Sequence, residues 1–235
     1  MDAIMSTSAL RSRNDQILYP DSDGQPMSDN TVQFRWIVLI KEGLEFLFRD
    51  RPDVFVAGDL LGYAEEGNPK ARTAPDVMVA FGRPKGDRGS YKQWEEGGIA
   101  PQVVFEILSP GNRVPEMMRK FRIYEDRGVE EYYIYNPDDG DLQGWIQKDG
   151  RLQEVPDPRG WISPRLGVRF EPGEGPESLK ILHPDGTPFK TALEMQEDAQ
   201  AERLRADAAE ESARVERLRA ERLAARLREL GESAD

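Results

Sequence analysis

Two carboxylates and one lysine stand out by their settings in the chain. Asp76 opens a strand-like run that ends at Phe81, and Glu106 lies inside the apolar sequence VVFEIL. Lys120 lies on the helix predicted to follow. A carboxylate between core-facing residues is costly unless it is paired or binds a metal. Oxygen ligands of this type suit Mg²⁺ or Mn²⁺, which polarise phosphates and activate water. The order of the three residues therefore predicts a metal-dependent phosphodiester-cleaving site.

Each of these residues also has an ordinary explanation when it is taken alone. Asp76 follows a proline at the start of a strand, and aspartate is common in turns at such positions. Glu106 points to water if its face of the sheet is partly open, and a lone lysine usually packs its stem on the surface. Lys120 does precede Tyr124 by four residues, so both occupy one helical face. The catalytic interpretation therefore depends on the combination.

Helix and strand patterns alternate around these residues. Apolar residues at helical spacing predict a helix from Thr31 to Phe48, ended by Pro52. VVFEIL is nearly all apolar, as expected of a strand covered on both faces. Further strand-like runs and a hairpin follow this pattern, at 54–57, 75–81, 132–135 and 142–155. The segment 83–100 is polar and glycine-rich, and a solvated surface loop is favoured over a mobile substrate-binding arm. We expect an α/β fold.

The amino-acid composition excludes several classes of functional site. The chain has no cysteine, which excludes disulfides, zinc–thiolate sites and cysteine nucleophiles, and its one histidine is His183. That histidine lies in a polar stretch and is expected to be structural or exposed. The net charge is −12, which argues against a broad basic face for nucleic acid. A small local site where a metal offsets phosphate charge remains compatible with this charge.

The two ends of the chain predict its location and its domain organisation. The first 16 residues have no apolar core of the kind that secretion signals need, and no run approaches the roughly 18 apolar residues of a membrane span. We expect a cytoplasmic protein with a main domain at 1–190 and a helical or coiled-coil tail at 191–235. In the tail Leu204 and Leu218 share a stripe that Glu211 interrupts. A solvated charged helix and self-association through 194–230 both remain open.

Several stretches, taken together, resemble a known family. They run in family order and span, with their flanks, roughly residues 30 to 170, at 74–77, 104–110, 120–124, 128–134 and 136–137. By these stretches the chain resembles the Uma2 family of restriction endonucleases, within the PD-(D/E)XK superfamily. The resemblance implies a restriction-endonuclease-like core with a mixed β-sheet flanked by helices. To this core the chain adds a C-terminal charged helix.

The resemblance also implies roles for individual residues. Asp76 and Glu106 become metal ligands, with the backbone carbonyl of Ile107 as a third. The superfamily usually has lysine two positions after the glutamate, where this chain has Leu108. Lys120 matches the lysine that replaces it in the Uma2 type, on the following helix.

The family often has histidine in the first helix, where this chain offers Gln33, and no role is assigned to that position. The expected activity is a Mg²⁺- or Mn²⁺-dependent endonuclease acting on DNA. Two alternatives stay open: a catalytically silent scaffold that interacts through the tail, and an enzyme of the same fold acting on RNA or a modified nucleotide.

Overall fold

A six-stranded β-sheet with a helix on each face forms the centre of the fold. The structure, a computed structural model, describes residues 17–22, 24, 26–229 and 231. In chain order the elements are α1 (Thr31–Leu47), β1 (Val54–Gly58), β2 (Gly62–Tyr63), β3 (Arg72–Thr73), β4 (Val77–Phe81), β5 (Tyr91–Lys92), β6 (Val103–Ile107), α2 (Val114–Asp126), β7 (Glu131–Asn136), β8 (Asp141–Lys148), β9 (Arg151–Glu154), β10 (Arg169–Glu171), β11 (Lys180–Leu182) and α3 (Ala192–Glu229).

The strand order in the central sheet is β1-β4-β6-β7-β8-β9. Only β6 and β7 are parallel within it, and every other neighbouring pair is antiparallel. Parallel neighbours need a crossover connection, and α2 provides it. Two smaller sheets, β3-β2-β5 and β10-β11, complete the strands. The predicted α/β fold with a mixed sheet and flanking helices is confirmed.

The two faces of the sheet bury different sets of side chains. On one face Trp36 and Ile40 of α1 pack with Phe105 of β6. On the other face Tyr124 of α2 packs with Val104. Because side chains alternate along a strand, Glu106 shares the face of Val104 and points towards α2. The sheet is covered on this side, so Glu106 is only 2% exposed. The alternative in which it points to water is therefore wrong.

The segment 83–100 is more tightly held than a solvated loop. Strand β5 pairs with β2, and Tyr91 is buried. Glu96 is also buried and accepts hydrogen bonds from Arg88 Nε at 2.6 Å and Arg83 Nε at 2.7 Å. Lys85 Nζ donates to the carbonyl of Phe48. The expectation of a solvated loop is wrong here, because an ion-pair cluster anchors the segment.

The chain divides into two compact units, Met1–Phe189 and Lys190–Asp235. The second unit consists mainly of α3, which begins with a capping box: Thr191 Oγ1 accepts the N–H of Glu194, whose carboxylate accepts the N–H of Thr191. No described side chain of α3 is buried. Within the described residues no helix is long and apolar enough to cross a membrane. The prediction about a secretion signal concerns residues 1–16, which lie outside the described residues.

Candidate active site

The pairing of β4 with β6 brings Asp76 beside Glu106. Val77 lies opposite Phe105 in this antiparallel pair, so the next residues outward are Asp76 and Glu106. Residues directly opposite each other in antiparallel strands project to the same face of the sheet. The backbone N–H of Ile107 donates to Asp76 Oδ2 at 2.6 Å, which ties the end of β6 to the residue before β4. Both predicted carboxylates therefore lie together at one end of the strand pair.

Two side chains of α2 hold the Glu106 carboxylate. Lys120 Nζ lies 2.7 Å from Glu106 Oε2, and Tyr124 donates its hydroxyl to Oε1 at 2.5 Å. The two donors are one helical turn apart, so α2 offers both from a single face. Lys120 Nζ also lies 3.5 Å from the carbonyl oxygen of Ala74, just ahead of Asp76. The structure thus brings Lys120 to the two carboxylates, and it adds Tyr124, for which sequence reasoning proposed no role.

The carbonyl of Ile107 is held by Gln33 of α1. Gln33 is 6% exposed, and its Nε2 donates to the Ile107 oxygen at 2.9 Å. Its Oε1 accepts the backbone N–H of Asp29 at 2.8 Å, which assigns the orientation of the amide. Gln33 therefore orients a predicted ligand, although sequence reasoning gave it no role. The available signal was its position, because it falls on the core-facing side of α1 with Trp36 and Ile37.

Burial makes the charges of this cluster interdependent. Burial and, second, the nearby charge of Glu106 raise the pKa of Asp76 to about 8, against the opposing charge of Lys120. Burial also raises the pKa of Glu106, while Lys120 and Tyr124 act in the opposite direction. Burial lowers the pKa of Lys120, but the Glu106 and Asp76 charges outweigh this effect and raise it overall. Lys120 therefore stays protonated, and two ionised carboxylates would exceed its single positive charge.

A cleft of about 550 Å³ opens onto this cluster. Asp76, Lys120 and Gln33 line it. Three further basic and three further acidic side chains also line it: Lys70, Arg72, Arg119, Asp29, Asp59 and Glu116. Among the described residues no group of three or more histidine, aspartate or glutamate side chains is placed to hold a metal ion. A cation at Asp76 and Glu106 would therefore need further oxygen ligands, from the Ile107 carbonyl and from water.

Comparison with known proteins identifies the family. A family model described as "Uma2: Putative restriction endonuclease" matches residues 26–171. This chain belongs to the Uma2 family. The matched Uma2 region runs from just before α1 to the end of β10 and contains Gln33, Asp76, Glu106, Lys120 and Tyr124. The resemblance inferred from the sequence is confirmed.

The Uma2 chain is also similar to a solved structure described as a "putative nuclease belonging to DUF820" from Anabaena variabilis. The two share 14% sequence identity with a TM-score of 0.42, over 61% of this chain and 78% of the other. None of the curated proteins searched matches this chain. Membership of the family supports the assignment of this chain as a nuclease.

Proposed function

We propose that this protein is a metal-dependent endonuclease that hydrolyses phosphodiester bonds of DNA, using Asp76, Glu106 and Lys120. The convergence of Lys120 Nζ and the Tyr124 hydroxyl on buried Glu106, next to Asp76, carries the proposal. Burying charged groups is costly, and strongly perturbed groups of this kind collect at functional sites. The substrate proposed for it is a phosphodiester, because the family is described as a restriction endonuclease and three basic side chains near the cluster could contact a phosphate.

The donor set fits Mg²⁺ or Mn²⁺, which prefer hard oxygen ligands. Asp76 and Glu106 would supply carboxylate oxygens, and Ile107 would supply its carbonyl. Each of these oxygens can accept two bonds. The four hydrogen bonds to them, from Ile107 N–H, Lys120, Tyr124 and Gln33, each occupy one position, so a second position on each oxygen is left for a cation. A divalent cation would offset the excess of negative charge that arises when both carboxylates are ionised. When bound, such a cation polarises the phosphate and activates water for attack.

The side chains around the ligands have separate roles in the proposed reaction. Lys120 keeps a positive charge at the edge of the cleft, where it orients the attacking water or stabilises charge that develops on the phosphate. Tyr124 holds Glu106 in one orientation, and Gln33 does the same for the Ile107 carbonyl. Such supporting hydrogen bonds keep metal ligands in position.

DNA is proposed as the substrate because the matched family is described as a restriction endonuclease. Lys70, Arg72 and Arg119 line the cleft, although the whole chain carries a net charge of −12. Lysine and arginine contacts to phosphates position a duplex without reading its sequence. The same contacts would accept RNA, so a matched RNA substrate belongs in the assay. The cytoplasmic location stays a prediction.

Cleavage of plasmid DNA tests this proposal directly. The full chain is incubated with plasmid and Mg²⁺ or Mn²⁺, with EDTA as the metal-free arm. Glu106→Ala and Lys120→Ala are compared with Lys180→Ala, which replaces an exposed lysine on β11. We expect losses of about 10²-fold or more in the first two variants and none in the third, because preorganised charge of this type contributes that much. Equal cleavage by all three would remove Glu106 and Lys120 from the mechanism.

A catalytically silent scaffold is the second candidate, and one observation favours it. Both oxygens of Glu106 already accept hydrogen bonds, one of them from a charged lysine, so its burial is compensated without a metal. Calorimetric titration with Mg²⁺ and Mn²⁺ separates the two functions. Binding that disappears in Asp76→Ala supports the nuclease, whereas absence of binding supports the scaffold.

A further inference from the structure

One face of helix α3 carries a stripe of exposed apolar side chains that is interrupted by charged ones. Leu193, Leu204, Val215 and Leu218 are all exposed. They are spaced eleven, eleven and three residues apart. At about 100° per residue these spacings place all four within an arc of roughly 60°. Charged residues interrupt this stripe, because the same arc also holds Glu197, Glu211, Arg222 and Glu229. The exposed side chains of Met195, Leu223 and Leu227 lie outside the arc. The apolar residues alone therefore do not select a partner.

The charge of α3 changes sign halfway along the helix. Residues 194–211 carry seven acidic side chains and two arginines, and residues 212–229 carry six arginines and three glutamates. The helix dipole favours such a bias only within the first and last turns. It does not account for Asp207, Glu210 or Arg214 near the middle. The pattern is instead self-complementary when two copies of the helix run in opposite directions.

We propose that α3 pairs with α3 of a second copy of this chain in an antiparallel arrangement. In a parallel pair each acidic half would face the other acidic half. In an antiparallel pair each acidic half faces a basic half, and charge complementarity of this kind selects orientation. The helix has 38 residues, so it is about 57 Å long and offers the stripe over many turns. This inference is independent of the nuclease proposal.

Engineered cysteines determine the orientation, since the natural chain contains none. Gln200→Cys and Ala225→Cys replace uncharged residues on the face of the stripe and lie 25 positions apart. Full-length copies carrying one cysteine each, distinguished by tags, are mixed and treated with a short bis-maleimide. In a parallel pair the two different positions are about 37 Å apart and only like positions are close. The antiparallel pair predicts cross-links between Gln200→Cys and Ala225→Cys and few between like positions. Cross-links between like positions would overturn the orientation.

A matched pair of charge variants provides a second test by sedimentation. Arg217→Glu with Arg222→Glu and Arg203→Glu with Arg205→Glu change the net charge equally. In the antiparallel pair the first change removes the attraction and weakens association at least tenfold, whereas the second does not weaken it. A parallel pair predicts the opposite order. The parent chain is expected at about twice its 26.7 kDa mass. A monomer mass at every concentration, with helicity intact by circular dichroism, would reject self-association.

Discussion

Replacing Tyr124 with phenylalanine isolates one hydrogen bond of the buried cluster. The change removes the hydroxyl that donates to Glu106 Oε1 at 2.5 Å and keeps the ring, which packs against Tyr132 at 5.1 Å between centroids. Lys120 keeps its own contact with the carboxylate. The change also removes a longer contact between the Tyr124 hydroxyl and Thr73 Oγ1, at 3.4 Å. The main loss is therefore one donor on a carboxylate that is only 2% exposed.

The expected cost follows from the charge and burial of Glu106. Hydrogen bonds to charged groups contribute about 1.5–3 kcal/mol, and a buried acceptor that loses its partner has no water to replace it. We expect Tyr124→Phe to lower the free energy of unfolding by about 2 kcal/mol. The measurement is urea unfolding in EDTA, with the midpoint and the slope fitted separately, because a changed slope would indicate a different denatured state.

Tyr132→Phe is the matched control, since it makes the same chemical change in the same aromatic cluster. The Tyr132 hydroxyl is buried and has no hydrogen-bond partner among the described residues. Removing an unpaired buried hydroxyl is neutral or stabilising. Tyr124→Phe should therefore destabilise the protein, whereas Tyr132→Phe should not. If Tyr124→Phe cost no more than Tyr132→Phe, the buried hydrogen bond to Glu106 would be refuted.

Three further predictions concern the ligands and the cleft. Gln33→Ala should weaken Mg²⁺ binding about 10- to 100-fold in calorimetry by releasing the Ile107 carbonyl, and unchanged affinity would contradict a positioning role. Arg119→Ala should weaken DNA binding for all sequences and lower the salt dependence of log K by about 0.9 if it meets one phosphate; an unchanged slope would exclude that contact. Without metal, stability should fall as pH rises from about 4 towards 8, because the folded chain retains a proton on Asp76 that the unfolded chain releases. The fall should be smaller in Asp76→Asn, and identical pH profiles would count against the raised pKa.

Local geometry made part of the site predictable. Alternation along a strand placed Glu106 on the face of Val104, and helical spacing placed Lys120 with Tyr124. Both relations hold in the structure because they depend only on the periods of strand and helix, which no distant residue changes. Their combined consequence, two donors on one buried carboxylate, was not predicted, because periodicity does not say which faces meet.

Long-range packing decided the rest. The register of β4 against β6 sets Asp76 beside Glu106, and nothing near Asp76 in the chain specifies it. The contact between Gln33 and Ile107 joins residues 74 positions apart, and the pairing of Glu96 with two arginines turns an apparently solvated loop into an anchored one. The sequence by itself determined the helices and the strands of the central sheet, because these follow from local periodicity, but not the short strands β2, β3 and β5. Only the tertiary structure decided which faces and strand ends meet, since register and partners result from competition among packing arrangements across the whole chain.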